Sequence, residues 1–187
     1  MIIPQEETLT LVGATLQLEQ RNMLMNVYLA GLIEKLRAKD IYTLLVKGQG
    51  IAQCYERPLW RTCGDIDLLL SNKNYTNAFR LLTTLSSNST EESIYNKHVA
   101  FTINSWTVEL HGTMRTCLWD SLDRAIDDVQ NEVFCAGTVR SWVNGQTQIY
   151  IPRADEDVIF VFTHILQHFF REGIGLRQIC DWCRLNS

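Results

Sequence analysis

The ten residues R61-T-C-G-D-I-D-L-L-L70 set the strictest constraint on how this chain can fold. Residues 65–70 are apolar enough to form an interior strand, yet Asp65 and Asp67 lie within them, one residue apart. Side chains alternate faces along a strand, so both carboxylates point the same way while Ile66 and Leu68 point into the core. Two carboxylates side by side repel each other and cost free energy to strip of water. A divalent cation removes that cost, and the pair reads as a metal clamp at a sheet edge or strand end. Oxygen-only carboxylate sites suit Mg2+, which completes its shell with water and substrate phosphates.

The hydrophobic periodicity around this strand lays out a mixed order of helices and strands. Leu18, Met25, Leu29, Leu32, Ile33 and Leu36 recur at helical spacing and predict a helix over about 16–39. Residues 41–46 predict a strand, K47-G-Q-G50 a turn, and 51–55 a short helix that Pro58 ends. After the aspartate strand, Ser71 or Asn72 can cap a helix to about 85, with Tyr75, Phe79, Leu82 and Leu85 on its apolar face. Residues 86–90 read as a polar loop, and 98–103 and 107–111 as a hairpin across N104-S-W106. A helix over 116–129, a second hairpin over 133–151 turning at N144-G145, and helices over 155–171 and 176–185 complete the order. The class is α+β (mixed α/β), with a central sheet flanked by helices. A boundary inside 129–152 would separate a sheet-based unit, 1–130, from a hairpin plus helical C-terminal portion, 131–187.

Composition narrows the function. A chain of 187 residues with a net charge of −4 lacks the excess of Lys and Arg that a long nucleic acid requires. A small nucleotide is still compatible, because metal ions and a few basic groups can hold its phosphates. No stretch is long and apolar enough to predict a membrane span, and the N-terminal residues do not read as a signal peptide, so a cytoplasmic location is expected. The six cysteines then read as reduced thiols.

A third carboxylate is available in W106-T-V-E-L-H111, where Glu109 alternates with Val108 and Leu110. If that strand pairs beside the aspartate strand, Glu109 joins Asp65 and Asp67, and three carboxylates could hold two Mg2+ ions about 3.5–4 Å apart. The K47-G-Q-G50 turn would let backbone N–H groups of Gly48, Gln49 and Gly50 approach a phosphate, with Lys47 or Arg61 neutralising it. Arg61 also reads equally well as a solvated loop charge. His111 reads as a strand-end residue or as a partner of the metal site. Other pairings have blander alternatives. His164 and His168 with Cys180 and Cys183 make a two-His, two-Cys zinc set on paper, but also two ordinary helix faces. Cys63 with His111 makes a nucleophilic pair without a visible oxyanion hole. Trp60 and Trp106 suit base stacking or plain packing.

The segment from Leu44 to Leu70, L-L-V-K-G-Q-G-I-A-Q-C-Y-E-R-P-L-W-R-T-C-G-D-I-D-L-L-L, resembles the signature of the uncharacterised nucleotidyltransferase family of the DNA polymerase beta-like superfamily. V108-E-L-H111 is similar to its third acidic strand, and H164-I-L-Q-H168 and G175-L-R-Q-I-C-D-W182 to its helical region. The resemblance spans about 44–182. It implies a minimal nucleotidyltransferase fold with a short mixed sheet. It implies Asp65, Asp67 and Glu109 as catalytic metal ligands, and Lys47, Gly48, Gln49, Gly50 and Arg61 as substrate-binding positions. The implied reaction is Mg2+-dependent transfer of a nucleoside monophosphate from a nucleoside triphosphate to a hydroxyl acceptor, on a small molecule or a protein, with release of pyrophosphate. The superfamily's turn usually reads Gly-Ser, whereas Gly48 is followed here by Gln49. That departure motivates the alternative of a degenerate nucleotide-binding or protein-interaction module, with a partner protein, as in a toxin–antitoxin component.

Overall fold

The computed structural model describes residues 4–93, 97–135, 138–171 and 173–185. The first element is α1 (Gln5–Arg37), whose buried Met25, Leu29, Leu32, Ile33 and Leu36 form one stripe at helical spacing. It starts eleven residues before the expected start at about 16. The extra turns carry Leu9, Leu11, Val12 and Leu16 exposed to solvent, so no core-facing stripe announces them. Glu6 and Glu7 in the first turn and Lys35 and Arg37 in the last complement the helix dipole.

Strand β1 (Leu44–Val46) is followed by the five-residue α2 (Gly48–Ala52) and a 3-10 turn at Pro58–Trp60. The short helix therefore begins within the expected glycine turn, three residues earlier than the apolar pattern of 51–55 indicated. Then come β2 (Ile66–Leu69) and α3 (Asn72–Leu85). A two-residue strand, β3 (Asn88–Ser89), lies in the expected polar loop. It is wholly exposed, so it has no hydrophobic signature, and it exists only because it pairs with β4 (His98–Ile103). β4 turns into β5 (Trp106–His111) through Asn104 and Ser105, whose φ values of 50° and 69° are the left-handed pair that a tight hairpin turn uses.

The remaining elements are α4 (Asp120–Cys135), β6 (Arg140–Asn144), β7 (Thr147–Ile151), α5 (Ala154–Arg171) and α6 (Leu176–Leu185). The expected α4 region shifts towards the C-terminus, because Thr116 and Cys117 instead form a loop whose backbone N–H groups donate to the buried Asp123 carboxylate. Asn144 pairs with Thr147, so the second hairpin turns one residue later than expected, at Gly145 and Gln146. Residues 136–137, within the range expected for that hairpin, lie outside the described residues.

The main sheet has the order β1-β2-β5-β4-β3. It is mixed: β2 pairs antiparallel with β1 and parallel with β5, and β4 pairs antiparallel with β5 and β3. The core joins the inner stripe of α1 to Ile66, Leu68, Phe101, Val108 and Leu110 of the sheet, and to Ile149 and Ile151 of β7. Each fully buried aliphatic side chain there contributes about 1.5–3 kcal/mol of transfer free energy. A second cluster, containing Val46, Leu69, Ile126 and Phe160, seats α4 and α5 against the sheet. β2 thus has apolar groups on both faces, which leaves Asp67 the polar exception in a wholly buried strand.

Candidate active site

The parallel pairing of β2 with β5 puts Asp67 opposite Glu109. Asp65 lies just before β2. Oxygens of Asp65, Asp67 and Glu109 all come within 4.8 Å of one another. Three carboxylates from two neighbouring strands therefore converge. The same register explains why: residues 65, 67 and 109 share one face of the sheet by the twofold alternation of strands.

Lys47 and His111 supply counter-charge. Lys47 Nζ lies 2.6 Å from Asp67 Oδ1, and His111 Nε2 donates to the same oxygen at 2.9 Å. His98, directly across from His111 in the β4–β5 pair, donates from Nε2 to Glu109 Oε2 at 3.1 Å. Burial alone would raise the Asp67 carboxyl, but Lys47 and His111 outweigh it and hold the group below its ordinary range. Glu109 is likewise pulled down, burial being outweighed by the two histidines and Lys47. Burial opposes the charges of Lys47 and His111 too, yet the carboxylates raise both above their usual values. Asp65 has no such donor among the described residues: burial and repulsion from Asp67 and Glu109 push its carboxyl up. Such a face has more negative charge than its own cations satisfy, and its all-oxygen carboxylate set matches a hard divalent ion.

The turn that delivers Lys47 is strained. Lys47 adopts φ 57°, ψ −150°, and Gly48 follows at φ 36°. A non-glycine residue in such a region costs on the order of 1–3 kcal/mol and persists where the surroundings dictate it. Here the ion pair with the neighbouring strand holds it. A Cβ on Gly48 would sit 3.3 Å from the Asp65 carbonyl oxygen, so this turn packs directly on the entry to β2.

A cleft of about 510 Å3 opens over these groups. One wall is the sheet face with Lys47, Gly48, Asp65, Asp67 and Glu109; the other is α5 and α6, contributing His164, His168, Arg171, Arg177 and Asp181. Among the expected substrate-binding positions, Lys47, Gly48 and Arg61 line the cleft. Gln49 and Gly50 are buried behind it, and Gln49 Oε1 accepts from the Cys63 thiol at 3.3 Å. Arg61 is committed to a buried ion pair. Its Nε and Nη2 grip Asp181 of α6 at 2.8 and 2.7 Å, and its Nη1 donates to the Gly48 carbonyl at 3.0 Å. The Tyr55 hydroxyl donates to the same carboxylate at 2.7 Å. This node ties the helical wall to the strained turn and to the approach to β2.

Several of these residues carry no signal in the sequence. Asp181 reads as an ordinary helix residue until its partner, 120 positions away, is known. His98 could be found only from the exact hairpin register. Arg171 and Arg177 each rest one guanidinium nitrogen on a backbone carbonyl, of Thr116 and Thr62 respectively, and neither has a carboxylate partner among the described residues. His164 and His168 share a hydrogen bond between their Nε2 atoms at 3.1 Å with the rings 80° apart, and burial with nearby Lys47 and His168 lowers His164 to about 3. Cysteines are absent from both groups of convergent metal-binding side chains among the described residues, so the zinc set does not assemble there. The Cys63 thiol is raised by burial, the opposite of an activated nucleophile. Trp106 stacks on Tyr28, and Trp60 donates to Glu19; neither ring lines the cleft.

A mixed sheet with a strained glycine turn, three converging carboxylates and a helical wall defines a nucleotidyltransferase-like fold. A crystal structure of an antigenic nucleotidyltransferase-like protein from Paracoccidioides brasiliensis is similar, with a TM-score of 0.52 at 14% identity, over 86% of this chain and 74% of that one. The chain belongs to the family described as "Uncharacterised nucleotidyltransferase", whose profile matches residues 2–187. A search of curated proteins found no match. Among the described residues, no helix is long and apolar enough to cross a membrane.

Proposed function

We propose that this chain catalyses Mg2+-dependent nucleotidyl transfer, moving a nucleoside monophosphate from a nucleoside triphosphate to an acceptor hydroxyl and releasing pyrophosphate. The observation that carries the reading is the convergence of Asp65, Asp67 and Glu109 at the floor of a cleft with a basic opposite wall. Asp65, Asp67 and Glu109 would hold Mg2+, which when bound would bring the acceptor oxygen and the triphosphate together and offset their charge.

The chain's own groups have distinct work. Glu109 would ligate the ion that acidifies the acceptor hydroxyl, whose proton would pass to solvent. Lys47 neutralises Asp67 before substrate arrives and can turn its ammonium towards a phosphate once Asp67 has another partner. Arg171 and Arg177, tethered by one nitrogen each and free of carboxylates among the described residues, supply the positive charge for the outer phosphates. That division explains how the turn works with Gln49 in place of serine: Gly48 contributes backbone, Gln49 packs inward, and charge comes from the helical wall. Arg61 acts by position, holding α6 and the Gly48 carbonyl. The acceptor belongs to the class of small molecules or protein side chains, since the net charge of −4 does not favour a long nucleic acid.

The test is incubation with α-labelled triphosphates, Mg2+ and a panel of hydroxyl acceptors, comparing the wild type with Asp65→Ala and Asp67→Ala. Transfer should fall by at least about 100-fold in each, the scale of losing one preorganised electrostatic group. Transfer that survives both substitutions would remove the proposal. Calorimetry on the same samples addresses the degenerate-module reading, which predicts Mg2+-dependent triphosphate binding with no pyrophosphate released by the wild type.

A further inference from the structure

The cleft holds a second set of convergent donors, in which two histidines without a role in the proposed transfer join Glu109. His98 Nε2 lies 3.1 Å from Glu109 Oε2, and His111 Nε2, which donates to Asp67 Oδ1 at 2.9 Å, lies 3.5 Å from the same glutamate oxygen. All three donor atoms lie within 4.8 Å of one another. The pairing register makes the arrangement rigid. His98 and His111 are direct partners across β4 and β5, with ring centroids 4.8 Å apart, and Ala100 pairs with Glu109 two residues along. Two imidazoles and a carboxylate are therefore held by backbone hydrogen bonds rather than by flexible loops.

The separations have the dimensions of a coordination shell. Ligands bound at about 2.0–2.1 Å in a tetrahedral site stand about 3.3 Å apart. The two observed nitrogen–oxygen separations fall on either side of that value. The donor types differ from those of Asp65 and Asp67. Mg2+ prefers oxygen and sheds water reluctantly, whereas imidazole nitrogen suits borderline ions such as Mn2+, Co2+ and Zn2+.

We propose that His98, Glu109 and His111 form a site for one borderline divalent transition-metal ion, adjoining the Asp65–Asp67 pair through the shared Glu109. To hold the ion each imidazole would present the Nε2 lone pair as a neutral ring with its one proton on Nδ1. The site stands apart from the transferase reading, since it requires neither a nucleotide nor turnover.

The experiment titrates metal-free, untagged protein with Co2+ alone, followed by visible absorption and calorimetry, with no nucleotide present. The expected result is one equivalent bound with a ligand-field band of nitrogen–oxygen coordination. His98→Ala should weaken binding by about 10-fold or more and abolish the band. His98 is about one-third exposed, so its loss leaves the fold intact. Asp65→Asn should retain both band and stoichiometry, separating this site from the all-carboxylate one. Mg2+ at the same concentration should fail to displace the ion. Absence of the band, unchanged affinity in His98→Ala, loss in Asp65→Asn, or equal competition by Mg2+ would each overturn the proposal. Thermal melting gives a second readout: Co2+ should raise the wild-type midpoint by mass action and raise that of His98→Ala clearly less. An equal rise in both proteins would count against the site.

Discussion

Asp181→Asn is the substitution that most sharply probes how the cleft is held together. Asp181 and Arg61 expose only 5% and 7% of their side chains, and their two hydrogen bonds are 2.7 and 2.8 Å long. The Tyr55 hydroxyl adds a third donor to the carboxylate. An exposed pair of this kind would be worth about 0–1 kcal/mol. Removing one charge from a buried pair instead leaves the other without compensation, at a cost of about 3–5 kcal/mol. Against a total stability of about 5–15 kcal/mol, that is a large share. Urea denaturation followed by circular dichroism should show this loss for Asp181→Asn with an unchanged m-value. The double replacement Arg61→Met with Asp181→Leu removes both charges and should recover most of it. A loss below about 1 kcal/mol, or a double variant as unstable as the single, would refute the idea that a buried charge pair clamps α6 to the turn.

Two other outcomes follow from the geometry. His164, lowered to about 3, lies below its unfolded value of about 6.5, so the unfolded chain takes up the proton first as pH falls. Its contribution is fully present above pH 6.5 and is lost on descending towards 3; equilibrium unfolding at pH 7 and pH 5 should differ by up to about 2 kcal/mol from this group, and His164→Asn should reduce that difference. Gly48→Ala should cost about 1–2 kcal/mol in chemical denaturation, because alanine disfavours φ 36° and its methyl would press on the Asp65 carbonyl. Full stability in Gly48→Ala would show that the turn is not strained as described.

Much of the fold is legible in the sequence because it rests on local periodicity. Asp65 and Asp67 share a face by their spacing and the strand carrying Glu109 alternates apolar and polar residues, so each strand's polar face can be read, whereas their coincidence follows only from the β2–β5 register. The core stripe of α1 is legible for the same reason, and its first turns are not, since they face no core. What escapes sequence reading is long-range and polar. Nothing near Arg61 indicates that its fork is spent on Asp181 rather than on a phosphate. Nothing near Gln49 shows that its side chain turns inward to Cys63. His98 enters the site only because the hairpin turns at Asn104 and Ser105; a one-residue slip would put it on the other face.

A crystal structure with Mg2+ and a non-hydrolysable nucleoside triphosphate tests the account most directly. It should show the cation about 2.1 Å from oxygens of Asp65, Asp67 and Glu109, with the outer phosphates reaching Arg171 and Arg177. A nucleotide seated outside this cleft, or a cation that leaves the three carboxylates unbound, would contradict it.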